Sequence, residues 1–457
     1  LTKVGTALRM DINGSGQLKH LIFPDGSGIR IGFNAGAGQV ANNNHYHSVF
    51  IGSNAGGGPS YDIGDSVAIG SGAGYGGKTL TSSTLIGTDA GSGITESTYD
   101  TFVGYKTAIQ ASGTDRNFGF GQKAAFGASG ISRTHFMGED AIHGGYNLVE
   151  VFAVGQMAGS GAIESNRTQM IGYRAGMASS GSIHSVLIGN TAGAQTSGIQ
   201  YGIYIGSNAG RYCVQEADNT HASIGIGTLA LQKASGNANI GIGYHAGLDM
   251  NTATGIAIGH DTGEGASGLR YNIMMGNSAG YLASGRYSAA QPFANDAIFI
   301  GHRAGLKSFD KGNSISIGRD AGRDTQQNAQ VISIGIQAGW QSSGVSSSIN
   351  IGYTAGQLTH PANINDTPYY QINIGDGAGS QSVGGGENVS IGISAGRLRY
   401  EGLNGVNVGN TKNIMIGRNA GIYGQGSENI FIGRYVGASG NTGSFNGNYK
   451  KCLFIIP

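Results

Sequence analysis

The sequence predicts an all-β fold, an elongated parallel β-solenoid, and three observations carry the prediction. A phrase of the form apolar-x-Ile-Gly-x-x-Ala-Gly returns from Ile29 to Gly437, most clearly as Ile171-Gly172-Tyr173-Arg174-Ala175-Gly176 and Ile351-Gly352-Tyr353-Thr354-Ala355-Gly356. With its first glycine as position 0 there are 23 copies, and every step from Gly70 to Gly206 is 17 residues. The apolar residues of each copy alternate with a period of two while glycine interrupts every window, which favours short strands and disfavours helix. A fixed period held this long marks stacked units, each touching mainly its neighbours.

Composition agrees. The chain has 457 residues, 86 of them glycine and only 6 proline, without a Gly-X-Y triplet, so collagen is excluded. Charged residues make up 12% and the formal net charge is +1, so no basic tract follows a phosphate backbone and nucleic acid is not an expected partner. No run of 18 or more apolar residues is present, which excludes a transmembrane helix. Cys213 and Cys452 match no metal or redox spacing and read as two thiols.

Residues 1–28 precede the repeat. Ala7–Ile12 and Leu18–Phe23 flank Asn13-Gly14-Ser15-Gly16 and read as a hairpin, serving as a cap or a connector. The repeat shaft occupies 29–437. Position −1 is Ile in 18 copies and position −3 is mostly Ile or Val, so these two are expected to form the buried face of a short strand. Position +3 is Ala in 20 copies and position +4 is Gly in 19, a small residue and a corner glycine. Ile131, Ile199 and Val345, at position +10, are expected to add to the core. At about 4.8 Å per coil, 23 coils predict a rod on the order of 110 Å long. Three buried side chains per coil barely offset the ordering of 17 residues, so several chains packed around a common axis are expected, side by side or intertwined, as a homotrimer. Residues 438–457, polar and then apolar from Cys452 to Ile456, read as a C-terminal cap.

Inserts lengthen certain coils between the Ala-Gly corner and the next strand, a phase that places them on one flank. They are rich in Tyr, His and Arg, and His45, Tyr46, Tyr287, Tyr369, Tyr370, Arg399 and Tyr400 are the candidate receptor-binding residues. Position +1 (Tyr105, Tyr173, Tyr244, Tyr353, Arg319 and others) projects from the corner, where solvated residues at a variable site are the simpler interpretation. At position +2, Asp89 and Lys106, Lys123 and Asp140, His245 and Asp261, and Arg303 and Asp320 fall one coil apart. Stacking sets each pair side by side, as solvated ladders rather than catalytic carboxylates. His45 and His47 alternate but lack a third ligand, so no metal and no cofactor is expected.

The phrase Ile-Gly-x-x-Ala-Gly, with Asn before the strand at Asn239, Asn272, Asn413 and Asn429, resembles the repetitive shaft of bacteriophage tail fibres. It is also similar to the heads of trimeric autotransporter adhesins. The resemblance implies a trimeric, non-enzymatic fibre on the virion surface, attaching to a glycan or protein receptor of the host cell. A self-assembling extracellular filament or a bacterial surface adhesin is the alternative, and a polysaccharide depolymerase on a β-helix is a weaker one. Membrane insertion is not expected.

Overall fold

The computed structural model describes residues 9–12, 18–22, 29–37, 48–58, 62–214, 222–236, 238–285, 296–310, 313–328, 330–359, 370–382, 386–397, 412–422, 426–438, 449–450 and 453–455. It is all-β, a parallel solenoid, with no helix among those residues. Two compact units divide it, Leu1–Tyr212 and Cys213–Pro457.

In the first unit, Arg9–Ile12 pairs antiparallel with Leu18–Ile22, the expected hairpin. Eleven rungs then stack in parallel, from Ile29–Ile31 to Ile203–Ile205. Register is residue for residue: Gln169 faces Val186, Met170 faces Leu187 and Ile171 faces Ile188. A second, shorter ladder runs through Asp62–Gly64, Thr79–Thr81, Thr95–Thr98 and Ser112–Asp115, and continues as isolated bridges to Ser197 and Gln200. The second unit stacks thirteen rungs, from Ile224–Ile226 to Leu453–Ile455. The last of these lies beyond the repeat phrase, yet pairs in parallel with Ile430–Ile432 and stacks the Phe454 ring on Phe431 at 5.5 Å.

The strand faces are the reverse of the expectation. The middle residue, position −2, points inward: Leu85, Phe102, Phe136, Met170, Leu187, Tyr204 and Phe299 are each 2% exposed or less. Positions −1 and −3 point outward, so Ile171 is half-buried and Ile351 is 36% exposed. A strand offers two faces, and apolar content alone assigned the wrong parity. The corner decides it. Ala175 and Ala355 at position +3 are fully buried and close the coil beneath the −2 side chain. A Cβ on Gly176 would stand 2.6 Å from the sulfur of Met170, so glycine at +4 makes room for that side chain. Where the strand's own middle residue is glycine, a neighbour fills the gap: Phe136 lies against Gly119, and Leu231, replacing the +4 glycine, lies against Gly241. Ile131, Ile199 and Val345 are buried as expected.

Position 0 has a different requirement. Every one of these glycines adopts φ between 125° and 144°, which L side chains rarely adopt. A Cβ on Gly172 would also stand 2.4 Å from the carbonyl oxygen of Gly189 in the next coil. The residue at +2, seldom glycine, is left-handed as well, with φ 54° at Arg174 and 56° at His245.

The Asn-rich approach forms an internal polar ladder at position −4. At three places the side chain accepts the backbone N–H of its counterpart one coil on: Asn239 Oδ1 from Gly255 at 2.9 Å, Asn388 Oδ1 from Asn413 at 2.9 Å, and Asn413 Oδ1 from Asn429 at 2.9 Å. These bonds satisfy buried donors that the turn before the strand leaves over. The buried Asn272 side chain makes no such bond. Asp100 occupies one such place, 1% exposed. Its carboxylate accepts from Ser97 Oγ at 2.6 Å, Thr114 Oγ1 at 2.7 Å, and the Asn117 backbone and Nδ2 at 2.8 and 3.0 Å. Burial raises its pKa above 3.8, and those hydrogen bonds pull it back only in part. A folded-state value above the unfolded one means that the native state holds the proton more tightly. Stability is therefore greatest below the unfolded value and is lost as pH rises through the folded one. Asp100→Asn keeps the acceptor for Asn117 and removes the buried charge. It is expected to stabilise the protein by about 1 kcal/mol at pH 7 and to flatten that pH dependence in urea melts between pH 3 and 7.

Candidate functional site

The outward face of the strands is the most unusual surface of the molecule. In Cys213–Pro457 all thirteen rungs carry an apolar residue at both outward positions, from Ile224 and Ile226 to Leu453 and Ile455. Ile334, Ile351, Ile414 and Ile416 are 36–37% exposed and Leu453 and Ile455 63%. Opposite them the interior turns polar: Ser316, Ser333, Asn350, Asn373 and Ser390 are the inward residues of successive rungs, none more than 4% exposed. Asn373 Nδ2 donates to Asn350 Oδ1 at 2.9 Å. The strand Ile349–Ile351 thus turns asparagine inward and isoleucine to solvent, the opposite of a strand built to face water. In Leu1–Tyr212 the same face is interrupted by exposed His135 and Gln169.

The corners carry charge and aromatic rings. Tyr105 and Tyr173 at position +1 are exposed, with Lys106 over the first ring at 5.1 Å and Arg174 over the second at 4.8 Å. Two of the expected +2 pairs form, His245–Asp261 at 3.1 Å and Arg303–Asp320 at 2.8 Å. The other two make no ion pair among the described residues. Lys106 turns to Tyr105 and Asp140 to His143 at 3.5 Å, because a left-handed +2 residue can also reach along its own coil.

A second ladder escaped the sequence argument. Tyr99, Arg116, Arg133, Glu150, Arg167, His184 and Tyr201 follow one another at 17-residue spacing, five residues before each position 0. Glu150 bridges Arg133 at 3.0 Å and Arg167 at 2.7 Å, Arg167 reaches His184 at 3.0 Å, and the His184 and Tyr201 rings stack at 5.0 Å. The hydrogen bond from Arg167 is the main cause holding the Glu150 carboxyl below its ordinary value, with the Arg133 charge adding to it. Its signal was the period itself, read at a phase where no apolar residue drew attention.

Of the candidate receptor-binding residues, Tyr370 is half-exposed and its carbonyl accepts the Asn388 N–H at 3.1 Å. His45, Tyr46, Tyr287, Tyr369, Arg399 and Tyr400 lie outside the described residues, as do His47 and Cys452. Cys213 is buried, its Sγ 2.6 Å from the Leu231 carbonyl. Among the described residues one cluster combines metal-ligating groups, His245, Asp261 and Glu264. Comparison with known protein families, and with curated proteins one by one, finds no match for this chain.

Proposed function

We propose that the chain is a structural attachment protein whose copies pack side by side as a homotrimer through the outward isoleucine columns. The observation that carries this is the inverted strand, asparagine inward and isoleucine outward at Ile349–Ile351, repeated in kind from Ser314 to Ile391. An apolar face of this extent is a liability in water unless something covers it. Two outward apolar side chains per rung over thirteen rungs exceed the roughly 800 Å² per partner that a stable interface buries. A surface that matches such a column rung for rung has the same period, and another copy of the chain supplies it.

In this reading the stacked coils act as a scaffold of the tail-fibre kind on a virion, or of the adhesin kind on a bacterial surface. The insert residues His45, Tyr46, Tyr287, Tyr369, Tyr370, Arg399 and Tyr400 meet a glycan or protein on the host cell. The test is the solution mass by sedimentation. A closed particle at three times the 46.5 kDa chain mass is expected. A stable monomer overturns the proposal, and an open, concentration-dependent polymer replaces the trimer with a filament. Trimming the Tyr-bearing inserts should abolish cell binding and leave the particle assembled; unchanged adsorption removes the inserts from recognition.

A further inference from the structure

We infer that His245, Asp261 and Glu264 form a site for a divalent transition-metal cation, of the zinc type, that ties two neighbouring coils together. His245 and Asp261 occupy the same +2 corner position of the coils that begin at Gly243 and Gly259, with φ 56° and 52°. Each backbone N–H is fixed by the preceding coil, His245 to the Thr228 carbonyl and Asp261 to that of Tyr244, both at 3.0 Å. The two side chains therefore leave the corner in register, and Glu264, three residues on, returns to the same point.

The distances suit a single ion. His245 Nδ1 stands 3.1 Å from Asp261 Oδ1 and 3.6 Å from Glu264 Oε2, and the three ligand atoms lie within 4.8 Å of one another. Ligand atoms about 2.0–2.2 Å from a tetrahedral zinc are separated by roughly 3.3 Å, which these values bracket. One imidazole with two carboxylates is a donor set that zinc, nickel or manganese accepts, and a fourth position stays open to water.

An independent observation points the same way. The ligands are already held by a supporting layer. Asp261 Oδ2, the oxygen turned away from His245, is 2.8 Å from His260 Nδ1. The Tyr244 ring stacks on His245 at 3.8 Å and on His260 at 4.9 Å, which fixes the plane of the ligating imidazole. Carboxylate–histidine contacts of this sort orient metal ligands. All three side chains are half-buried, at 21%, 26% and 24% exposure, so the ion would be partly shielded from water. The Asp261 and Glu264 carboxylates thus converge on one imidazole, where a dication would offset their charge.

The simpler alternative is an ion-pair network with no metal. Titrating the full-length protein with zinc chloride in a calorimeter separates the two. One saturable equivalent per chain is expected, with a rise in the thermal midpoint. His245→Gln and Glu264→Gln should each weaken that binding by at least about tenfold, and His260→Gln by about tenfold through loss of support. His184→Gln, on the Arg167 ladder of the Leu1–Tyr212 unit, should leave it unchanged, and circular dichroism checks that each variant is folded. Absence of saturable zinc uptake by the wild-type protein overturns the site. Uptake that survives both His245→Gln and Glu264→Gln overturns it equally. Neither result bears on subunit number, so failure here is distinguishable from failure of the attachment reading.

Discussion

Gly172→Ala is expected to destabilise its solenoid unit by about 3 kcal/mol or more, far beyond the usual effect of adding one methyl group. Two penalties combine. At φ 132° a residue with a Cβ is strained, on the order of 1–3 kcal/mol. The new methyl also meets the Gly189 carbonyl oxygen at 2.4 Å, a backbone atom that cannot swing aside. That carbonyl belongs to a rung held in place by the Gly189 N–H bond to Ile171 at 2.8 Å, so relief requires opening the stack. Gly127→Ala provides the contrast: its φ is 65° and nothing lies within 4 Å of the added carbon. Only the left-handed backbone penalty remains there, about 1 kcal/mol. Urea melts of the two variants should differ plainly in midpoint, and amide exchange should place the Gly172→Ala loss in the coils on either side of Gly172. Equal midpoints would remove the position 0 glycine from its role in setting coil spacing.

The coil and its length were legible because they depend on period, which survives substitution at every other position. Gly172 and Ala175 could be singled out since each recurs for one steric reason. The strand's parity was not legible, because the rule that places apolar residues inside presumes that the chain faces water alone. Ile349-Asn350-Ile351 breaks that presumption, and the break coincides with the surface proposed for assembly. The Asn-rich approach was visible, but its purpose was not: a side chain that accepts an N–H one coil on, as Asn239 does from Gly255, leaves no mark in local sequence. Position +2 hid its left-handed backbone for a related reason. Residues as different as Arg174 and Asp261 occupy it, so no residue preference reveals it. Glu264 was missed in the candidate metal site because it lies at +5, out of phase with the His245–Asp261 pair that the period exposed.

Replacing Ile332, Ile334, Ile349 and Ile351 together by threonine should release the assembled particle into folded monomers. All four point outward from two adjacent rungs, so a single chain loses little by the change. Threonine is β-branched and keeps the strand preference. At an interface each replaced isoleucine forfeits on the order of 1–2 kcal/mol of apolar burial, so four per chain amount to several orders of magnitude in association constant. The inward residue of the next rung gives the opposite result. Asn373→Ala leaves the Asn350 carbonyl oxygen without the Asn373 amide that now donates to it at 2.9 Å. This change should cost about 1–3 kcal/mol in a urea melt while leaving the sedimenting mass as it was. Outward substitution then alters mass without altering the fold, and inward substitution alters stability without altering mass. A quadruple variant that sediments like the parent would mean that the isoleucine columns are not the joint, and that some other surface must account for an apolar face left open to water.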